Sequence, residues 1–238
     1  MTDKKNDPYI KGLSRRDYIQ KVHELIQREG VNAISIRMIA REMGCSSASL
    51  YRHFESLSEL LYYAELRTLT TYILRLNEGE KKWKNAWDTY MGVWDCYSRE
   101  AFAHPEAYNL LFFEFTNEKL KDSILEYYNM FPEDIKGTSH IFWTMLKCAD
   151  FMGRDYEMCK KCIREGVISP ENAKRLNRIA CMLFKGYFIT VLKEGIRPEE
   201  IDARSRMYTS DLELAVCTLA SDLKGYKGEW RNCSYTQR

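Results

Sequence analysis

The residues best suited to contact a polyanion lie in one short run, residues 46–53. The run contains the hydroxyl groups of three serines, the phenol of Tyr51, the guanidinium of Arg52 and the imidazole of His53. Such groups hydrogen-bond to phosphate oxygens and to base edges, and none of them is favoured in an apolar core. The run therefore predicts a surface that contacts nucleic acid.

Helix-capping signals predict how this run is positioned. Ser35 is a good N-cap for a helix that closes at Gly44, and Ser46 caps a very short helix directly after it. Leu50 and Phe54 lie one turn apart and are expected to face inward. Two short helices joined by a glycine-containing turn form a helix-turn-helix. The same pattern also occurs as an ordinary corner between two helices, and the polar outer face favours DNA binding.

A further helix is predicted on each side of this pair. Ser14 and Asp17 form a Ser-x-x-Asp cap at the start of a first helix. Ser56 and Glu59 form a full capping box that begins a fourth helix, which is predicted to run to about residue 77.

The sequence contains no arrangement typical of an active site or a metal centre. Cys159 and Cys162 form a CxxC, but neither a second CxxC nor a pair of histidines lies at the spacing of a zinc site. In a helix these two thiols would merely share a face, which is the favoured interpretation. We therefore expect no enzyme activity, no metal and no cofactor.

Composition is typical of a globular, helical protein. The chain has 238 residues, 45% of them hydrophobic and 29% charged, with only five prolines and twelve glycines. Neither an apolar run of about 18 residues nor a secretory signal is visible, so we expect a cytoplasmic protein without a membrane span. Residues 1–55 carry ten Lys and Arg against seven Asp and Glu, which places the basic excess where nucleic acid is expected to bind.

Residues 14–61 resemble the N-terminal DNA-binding domain of the TetR-type transcriptional repressors. The resemblance is carried by SIRMIAREMGCSSASLYRHFESLSELL, residues 35–61, and above all by its L-Y-x-H-F run and the following Leu-Leu. Members of this family are all-helical homodimers whose larger C-terminal domain binds a small molecule and loosens operator DNA. The resemblance implies an all-α fold: an N-terminal arm and three-helix helix-turn-helix domain (1–55), a larger helical ligand-binding and dimerisation domain (56–224) and a C-terminal tail (225–238).

The resemblance also implies which residues contact DNA. At the start of the second helix, three residues would lie against the backbone and the groove edge: Ser35, Ile36 and Arg37. At the third helix, behind the cap Ser46, three residues would point into the major groove: Ser47, Ala48 and Ser49. Phosphates would be held by Tyr51 and His53, and by Arg52 unless it reads a guanine.

One position departs from the family pattern. Many members carry a lysine at the start of the fourth helix that grips a phosphate, and Leu57 stands there instead. The contact could be missing, or it could be supplied by Lys11, Arg15 or Arg16.

The rest of the chain predicts helices with stripes of aromatic residues. One interpretation is that the rings fill the core of a helical bundle. The other is that some of them line a cavity for a flat, apolar ligand, with a cationic residue that meets an anionic group. The candidates for this pocket are Arg67, Trp87, Met91, Trp94, Phe113, Trp143 and Lys147, with Arg154 as a further cation.

The last two predicted helices span residues 173–194 and 203–223. Apolar residues cover more than one side of the first, which is too wide a stripe for packing on a single neighbour. In relatives these helices pair with their mates across a dimer, although a helix central to its own domain gives the same stripe. The candidate interface residues are Leu176, Ile179, Leu183, Tyr187, Leu212, Val216 and Leu219.

Together these features predict a ligand-responsive, homodimeric repressor that leaves a pseudo-palindromic operator in double-stranded DNA when a small-molecule effector binds. The alternative keeps the helix-turn-helix but gives the C-terminal domain a protein partner in place of a small molecule.

Overall fold

The computed structural model describes residues 12–114, 119–148, 150–223 and 225–232, without the side chains of residues 119–122 and 232. Every regular element in these ranges is helical, which confirms the predicted all-α fold. The chain divides into two compact units between Thr68 and Leu69.

The N-terminal unit contains four helices: α1 (Arg15–Glu29), α2 (Ile36–Met43), α3 (Ser47–Leu50) and α4 (Leu57–Leu66). Their shared core is apolar, and α1 packs against α4. As predicted, Leu50 and Phe54 are buried in this core, where Tyr18 from α1 joins them. Burial of these side chains is the main force that holds such short helices, which would be marginal alone.

The predicted caps begin α1, α2 and α3. The Ser14 hydroxyl accepts a hydrogen bond from the Asp17 amide at 3.2 Å, and Asp17 Oδ2 accepts one from the Ser14 amide at 2.8 Å. Ser35 and Ser46 each accept a bond from the amide three residues on, at 3.3 Å. Gly44 ends α2 with φ of 63°, a left-handed conformation that glycine adopts without steric cost.

The fourth helix differs from the prediction at both ends. Ser56 caps it, but the Glu59 carboxylate accepts from the amide of Glu55 at 2.6 Å, so the predicted full capping box is wrong. The helix also ends at Leu66, because Thr68 folds back and its amide and hydroxyl donate to the carbonyl and carboxylate of Glu65.

The boundary between the units therefore lies later than predicted. The predicted boundary, between residues 55 and 56, would assign α4 to the larger domain. In the structure α4 packs on α1 and belongs to the N-terminal unit, which runs to Thr68.

The second unit contains eight helices within the described residues: α5 (Leu69–Glu80), α6 (Ala86–Ala103), α7 (Pro105–Asn109), α8 (Lys119–Met130), α9 (His140–Leu146), α10 (Phe151–Arg164), α11 (Pro170–Glu194) and α12 (Ile201–Leu219). Helix α6 is buried along almost its whole length, because α5, α10, α11 and α12 all pack against it. Its aromatic stripe therefore serves in large part as core, as the first of the two interpretations predicted.

Residues 132–164 form a short turn of 3-10 helix followed by the two helices α9 and α10. Asp150 accepts a hydrogen bond from the Gly153 amide at 2.5 Å and so caps a new helix, α10. The last helix ends at Leu219, four residues earlier than predicted.

The C-terminal tail contains a short turn of 3-10 helix within residues 225–232. Trp230 lies in a 3-10 turn, Glu229–Asn232, and its side chain is buried within the second unit. Its indole N–H donates to the Tyr226 hydroxyl at 3.0 Å, and that hydroxyl donates to Glu213 at 2.6 Å. Residues 233–238 and the N-terminal Lys11 lie outside the described residues. Among the helices described, none is both long and apolar enough to cross a membrane.

Candidate functional site

The polar run of the helix-turn-helix faces solvent in the N-terminal unit. The exposed residues are Ser35, Arg37, Ser46, Ser47, Ala48, Tyr51 and Arg52, whereas Ile36, Ser49 and His53 are half-buried. Within the described residues, the side chains of Arg37, Tyr51 and Arg52 make no hydrogen bond or ion pair. They are therefore available to phosphates and base edges.

Two of the predicted contact residues already use their hydroxyls. Ser35 and Ser46 hold the N-terminal amides of α2 and α3, so these side chains fix the helices that carry the surface. The half-buried Ser49 accepts a hydrogen bond from the Tyr18 hydroxyl at 2.9 Å. The Tyr18 hydroxyl also lies 3.4 Å from Cys45 Sγ. Tyr18 thus connects α1 to Cys45 in the turn before the recognition helix and to Ser49 within that helix.

Arg15 is turned inward and does not supply the phosphate contact that was considered for it. One guanidinium nitrogen donates to the carbonyl of His53 at 2.5 Å, and the other pairs with Glu59 at 2.7 Å. Its guanidinium carbon lies 4.5 Å from the ring centroid of Phe54. Arg15 therefore holds the end of the recognition segment against α4, and a phosphate contact would break these bonds.

A small cavity lies inside the second unit, with a volume of about 30 Å³. Of the seven predicted pocket residues only Trp94 lines it. Arg154, the further cation considered for the pocket, also lines it, and the lining residues that were not predicted are Tyr72, Val93, Tyr97, Met145, Phe151 and Asp155. The sequence pattern could not predict this lining, because tyrosine, valine and methionine recur at the same helical spacing whether they line a cavity or fill a core.

The other predicted pocket residues lie elsewhere. Trp87 is buried and its indole donates to the carbonyl of Asp222 at 3.0 Å, while Met91 is core. Phe113 packs on Phe151 and Phe188. The remaining three residues, Arg67, Trp143 and Lys147, are half-buried, and none of them lines this cavity. The Lys147 ammonium lies above the Trp143 ring, and Arg67 belongs to the other unit.

The CxxC cysteines are both buried on α10. The Cys159 thiol lies 3.7 Å from Asp155 Oδ2, and the Cys162 thiol lies 3.8 Å from the carbonyl of Ala86. Burial raises the pKa of both thiols, that of Cys162 to about 12, so both are protonated at neutral pH.

Helices α11 and α12 pack against each other and leave an apolar face exposed. Three of the predicted interface residues, Leu176, Leu212 and Val216, point into the core of the unit and cannot form such a face. Leu183, Tyr187 and Leu219 are half-buried and Ile179 is exposed. The exposed apolar residues are Ile179, Met182 and Ile189 on α11, and Met207 and Leu214 on α12.

These features define the N-terminal unit as a helix-turn-helix DNA-binding domain. Residues 20–64 match the family model of the bacterial regulatory proteins of the tetR family. The N-terminal unit therefore matches the DNA-binding domain of the tetR family, as the resemblance seen in the sequence predicted.

Two curated relatives each match a short stretch of this chain. An HTH-type transcriptional regulator of Staphylococcus aureus strain bovine RF122 / ET3-1 is 37% identical over 67 residues, which cover 28% of this chain and 36% of the relative. Its counterpart in strain USA300 is 39% identical over 64 residues, 26% of this chain and 35% of the relative. The match therefore spans about a third of the length of these relatives. Both are named as regulators and not as enzymes.

Solved structures share the fold over most of the chain. A protein of unknown function from Rhodococcus sp. RHA1 superposes with a TM-score of 0.54 at 19% identity, covering 91% of this chain and 100% of that one. A chain from Shewanella sp. PV-4, whose name assigns it to the tetR family of transcription regulators, gives 0.50 at 14% identity, covering 88% and 100%. At these identities the likeness concerns the fold alone.

Proposed function

We propose that the protein is a ligand-responsive, homodimeric transcription regulator that represses from a pseudo-palindromic operator. The observation that carries the proposal is the exposed surface of α2 and α3, where Arg37, Tyr51 and Arg52 have no intramolecular partner among the described residues. Arg37 and Arg52 supply positive charge for the phosphates, and Tyr51 supplies a hydroxyl donor. Ser47 and Ala48 are short enough to let α3 approach the floor of the major groove. A protein with this role works in the cytoplasm, where the DNA is.

Base readout by this surface is sparse. The half-buried Ser49 is already bonded to Tyr18, and Ser46 caps α3, so few side chains remain for bidentate pairs with bases. Arg52 is the residue best able to read a guanine. Leu57 provides no phosphate contact, and Arg15 is engaged within the domain. Affinity therefore depends on Arg37, Arg52 and residues of the N-terminal arm.

The dimer is proposed to form through the exposed apolar face of α11 and α12. Met182 is 55% exposed and Leu214 is 68% exposed, values that are costly for large apolar side chains in an isolated subunit. A two-fold axis through this face makes a self-complementary contact, and two recognition helices would then reach major grooves one turn apart.

Regulation is proposed to use the cavity bounded by α6 and α10. A ligand bound there shifts the protein toward whichever conformation it binds more tightly, and it weakens repression if that conformation binds DNA less well. The same cavity also gives the alternative its best support. At about 30 Å³ it holds a water molecule but no metabolite, so the second unit could instead bind a protein partner on its surface.

The experiment is selection of bound duplexes from random DNA by the purified protein, with the molar mass measured alongside. Recovery of an inverted repeat by a dimer supports the proposal. A folded dimer that selects no sequence overturns it. To separate the two candidates, the selected duplex is titrated with metabolites: release by a small molecule supports the first, and release only by a protein supports the second.

A further inference from the structure

A buried arginine in the second unit lacks a counter-charge. Arg154 is only 5% exposed, and two of its nitrogens are bonded to carbonyls at the end of α9. Its Nε donates to the carbonyl of Cys148 at 2.5 Å, and its Nη2 donates to that of Leu146 at 2.9 Å. The third nitrogen, Nη1, is buried and has no hydrogen-bond partner in the described part of the chain. No carboxylate there forms an ion pair with Arg154.

Buried cations are normally paired, and buried donors are normally bonded. The two carbonyls fix the position of the Arg154 guanidinium, but they carry only partial charges and leave Nη1 unused. An arrangement that holds a cation rigidly and leaves a donor open is typical of a site for an anion.

The neighbourhood adds further hydrogen-bond donors. The hydroxyls of Tyr97 and Tyr108 are buried and unbonded among the described residues, and the two ring centroids are 5.2 Å apart. Both Tyr97 and Arg154 line the cavity. Burial raises the pKa of both phenols well above the usual value, and the charge of Arg154 acts in the opposite direction, so the two hydroxyls lie within reach of its field.

Asp155 also lines the cavity, and taken alone it would favour a cationic ligand. Its carboxylate is already occupied, however. Oδ1 accepts from the Trp94 indole at 2.7 Å, and Oδ2 accepts from the Asn177 amide at 2.8 Å. The open groups of the cavity are therefore donors, and a ligand must bring acceptor oxygens and negative charge.

We propose that this cavity binds a small monocarboxylate with an apolar body. One carboxylate oxygen accepts from Arg154 Nη1 and from the Tyr97 hydroxyl, while the body lies against Trp94, Val93 and Phe151. The volume of about 30 Å³ is too small for such a molecule, so the wall must yield on binding. Met145 is the wall residue best able to move, since its unbranched thioether adapts readily to new shapes. Binding of the carboxylate does not depend on the proposed function. Its action as the effector that releases DNA does rest on that function.

The test is calorimetric binding to the full chain without DNA, using benzoate and hexanoate as carboxylates. Benzamide and benzylamine serve as neutral and cationic matches for benzoate. We expect both carboxylates to bind and to raise the melting temperature, and neither match to do so.

Variants identify the site. Arg154→Gln should weaken benzoate binding about ten- to a hundredfold, the loss expected for one charge-assisted hydrogen bond. Tyr97→Phe keeps the ring and should weaken it about three- to tenfold. Arg164→Gln is the matched control, because Arg164 lies on the same helix but is exposed and outside the cavity. If Arg154→Gln fails to fold, Tyr97→Phe decides the question.

The inference is overturned if the carboxylates do not bind, if benzylamine binds as well as benzoate, or if chloride alone binds as well. It is also overturned if Tyr97→Phe and a folded Arg154→Gln bind like the wild type. Selection of DNA is performed on the same preparation. A protein that selects an inverted repeat and ignores carboxylates contradicts this inference alone. A protein that binds carboxylates and selects no DNA contradicts the proposed function and leaves the carboxylate site standing.

Discussion

The Tyr18 hydroxyl donates a 2.9 Å hydrogen bond to Ser49 Oγ, which joins the long first helix to the middle of the recognition helix. Helix α3 has only four residues and cannot hold its position through its own hydrogen bonds. Its placement depends on the cap at Ser46, the buried Leu50 and this contact.

We expect Tyr18→Phe to lower the free energy of unfolding by about 1 kcal/mol, the usual net value of one hydrogen bond. It should also weaken DNA binding, because α3 gains freedom that binding must remove. Urea unfolding and fluorescence anisotropy measure the two effects. Ser49→Ala removes the other partner, so the double variant should lose little more than either single one. Strictly additive losses would show that the two hydroxyls are not coupled.

The prediction for Arg37 concerns salt. Arg37→Ala should weaken binding to all duplexes to a similar extent and reduce the slope of log K against log salt by about 1, the value for one lost phosphate contact. Tyr51→Phe should weaken binding and leave the slope unchanged, because the phenol carries no charge. Arg164→Ala, on an exposed surface of the other unit, is the control. An unchanged slope in Arg37→Ala would rule out its phosphate contact.

The proposed dimer interface on α11 and α12 can be tested by introducing a charged residue into it. Met182→Glu and Leu214→Glu should convert the dimer to a monomer, since each places a carboxylate in the proposed interface. Molar mass by light scattering measures the change. Leu74→Glu provides the control. Leu74 lies on α5, outside this face, and its exposed fraction of 57% is similar to that of Met182. If Leu74→Glu dissociates the dimer and the other two do not, the interface is elsewhere.

Asp155 should make stability depend on pH. Burial raises its pKa to about 6, against an ordinary value of 3.8, so between these values the folded protein holds a proton that the unfolded chain releases. Stability from this group is therefore greatest at low pH and falls as pH rises toward 6, by about 2–3 kcal/mol in total.

The measurement for Asp155 is the free energy of unfolding of wild type minus that of Asp155→Asn, between pH 4 and 7. This difference should fall as pH rises and then level off. Glu106→Gln removes an exposed carboxylate and should give no such trend. A difference that is constant across this range would mean that Asp155 titrates normally.

Local signals were sufficient to predict much of the N-terminal unit. N-caps such as Ser14, Ser35 and Ser46 act on amides within three residues, so their effect can be derived from adjacent sequence. The capping box at Ser56 was wrong for a reason outside that range. Glu59 is also bonded to Arg15, which lies 44 residues earlier, and its second oxygen reaches Glu55 in place of Ser56.

The second unit was harder to predict because its features depend on contacts between distant segments. Leu176 and Ile179 both fit the apolar stripe of α11, yet only the packing of that helix against α6, α10 and α12 determines that the first is buried and the second is exposed. Similarly, the position of Arg154 depends on the bend between α9 and α10, which brings the carbonyls of Leu146 and Cys148 to its guanidinium and which the helical pattern did not indicate. The order of Trp230 likewise arises from Tyr226 and Glu213.

We propose that α2 and α3 of two subunits bind operator DNA as a symmetric pair. Hydroxyl-radical footprinting on a selected duplex tests it most directly. We expect two protected patches related by a two-fold axis and about one helical turn apart, each lost when Arg37, Tyr51 and Arg52 are replaced by alanine. A single patch, or an identical footprint from the triple variant, would contradict it.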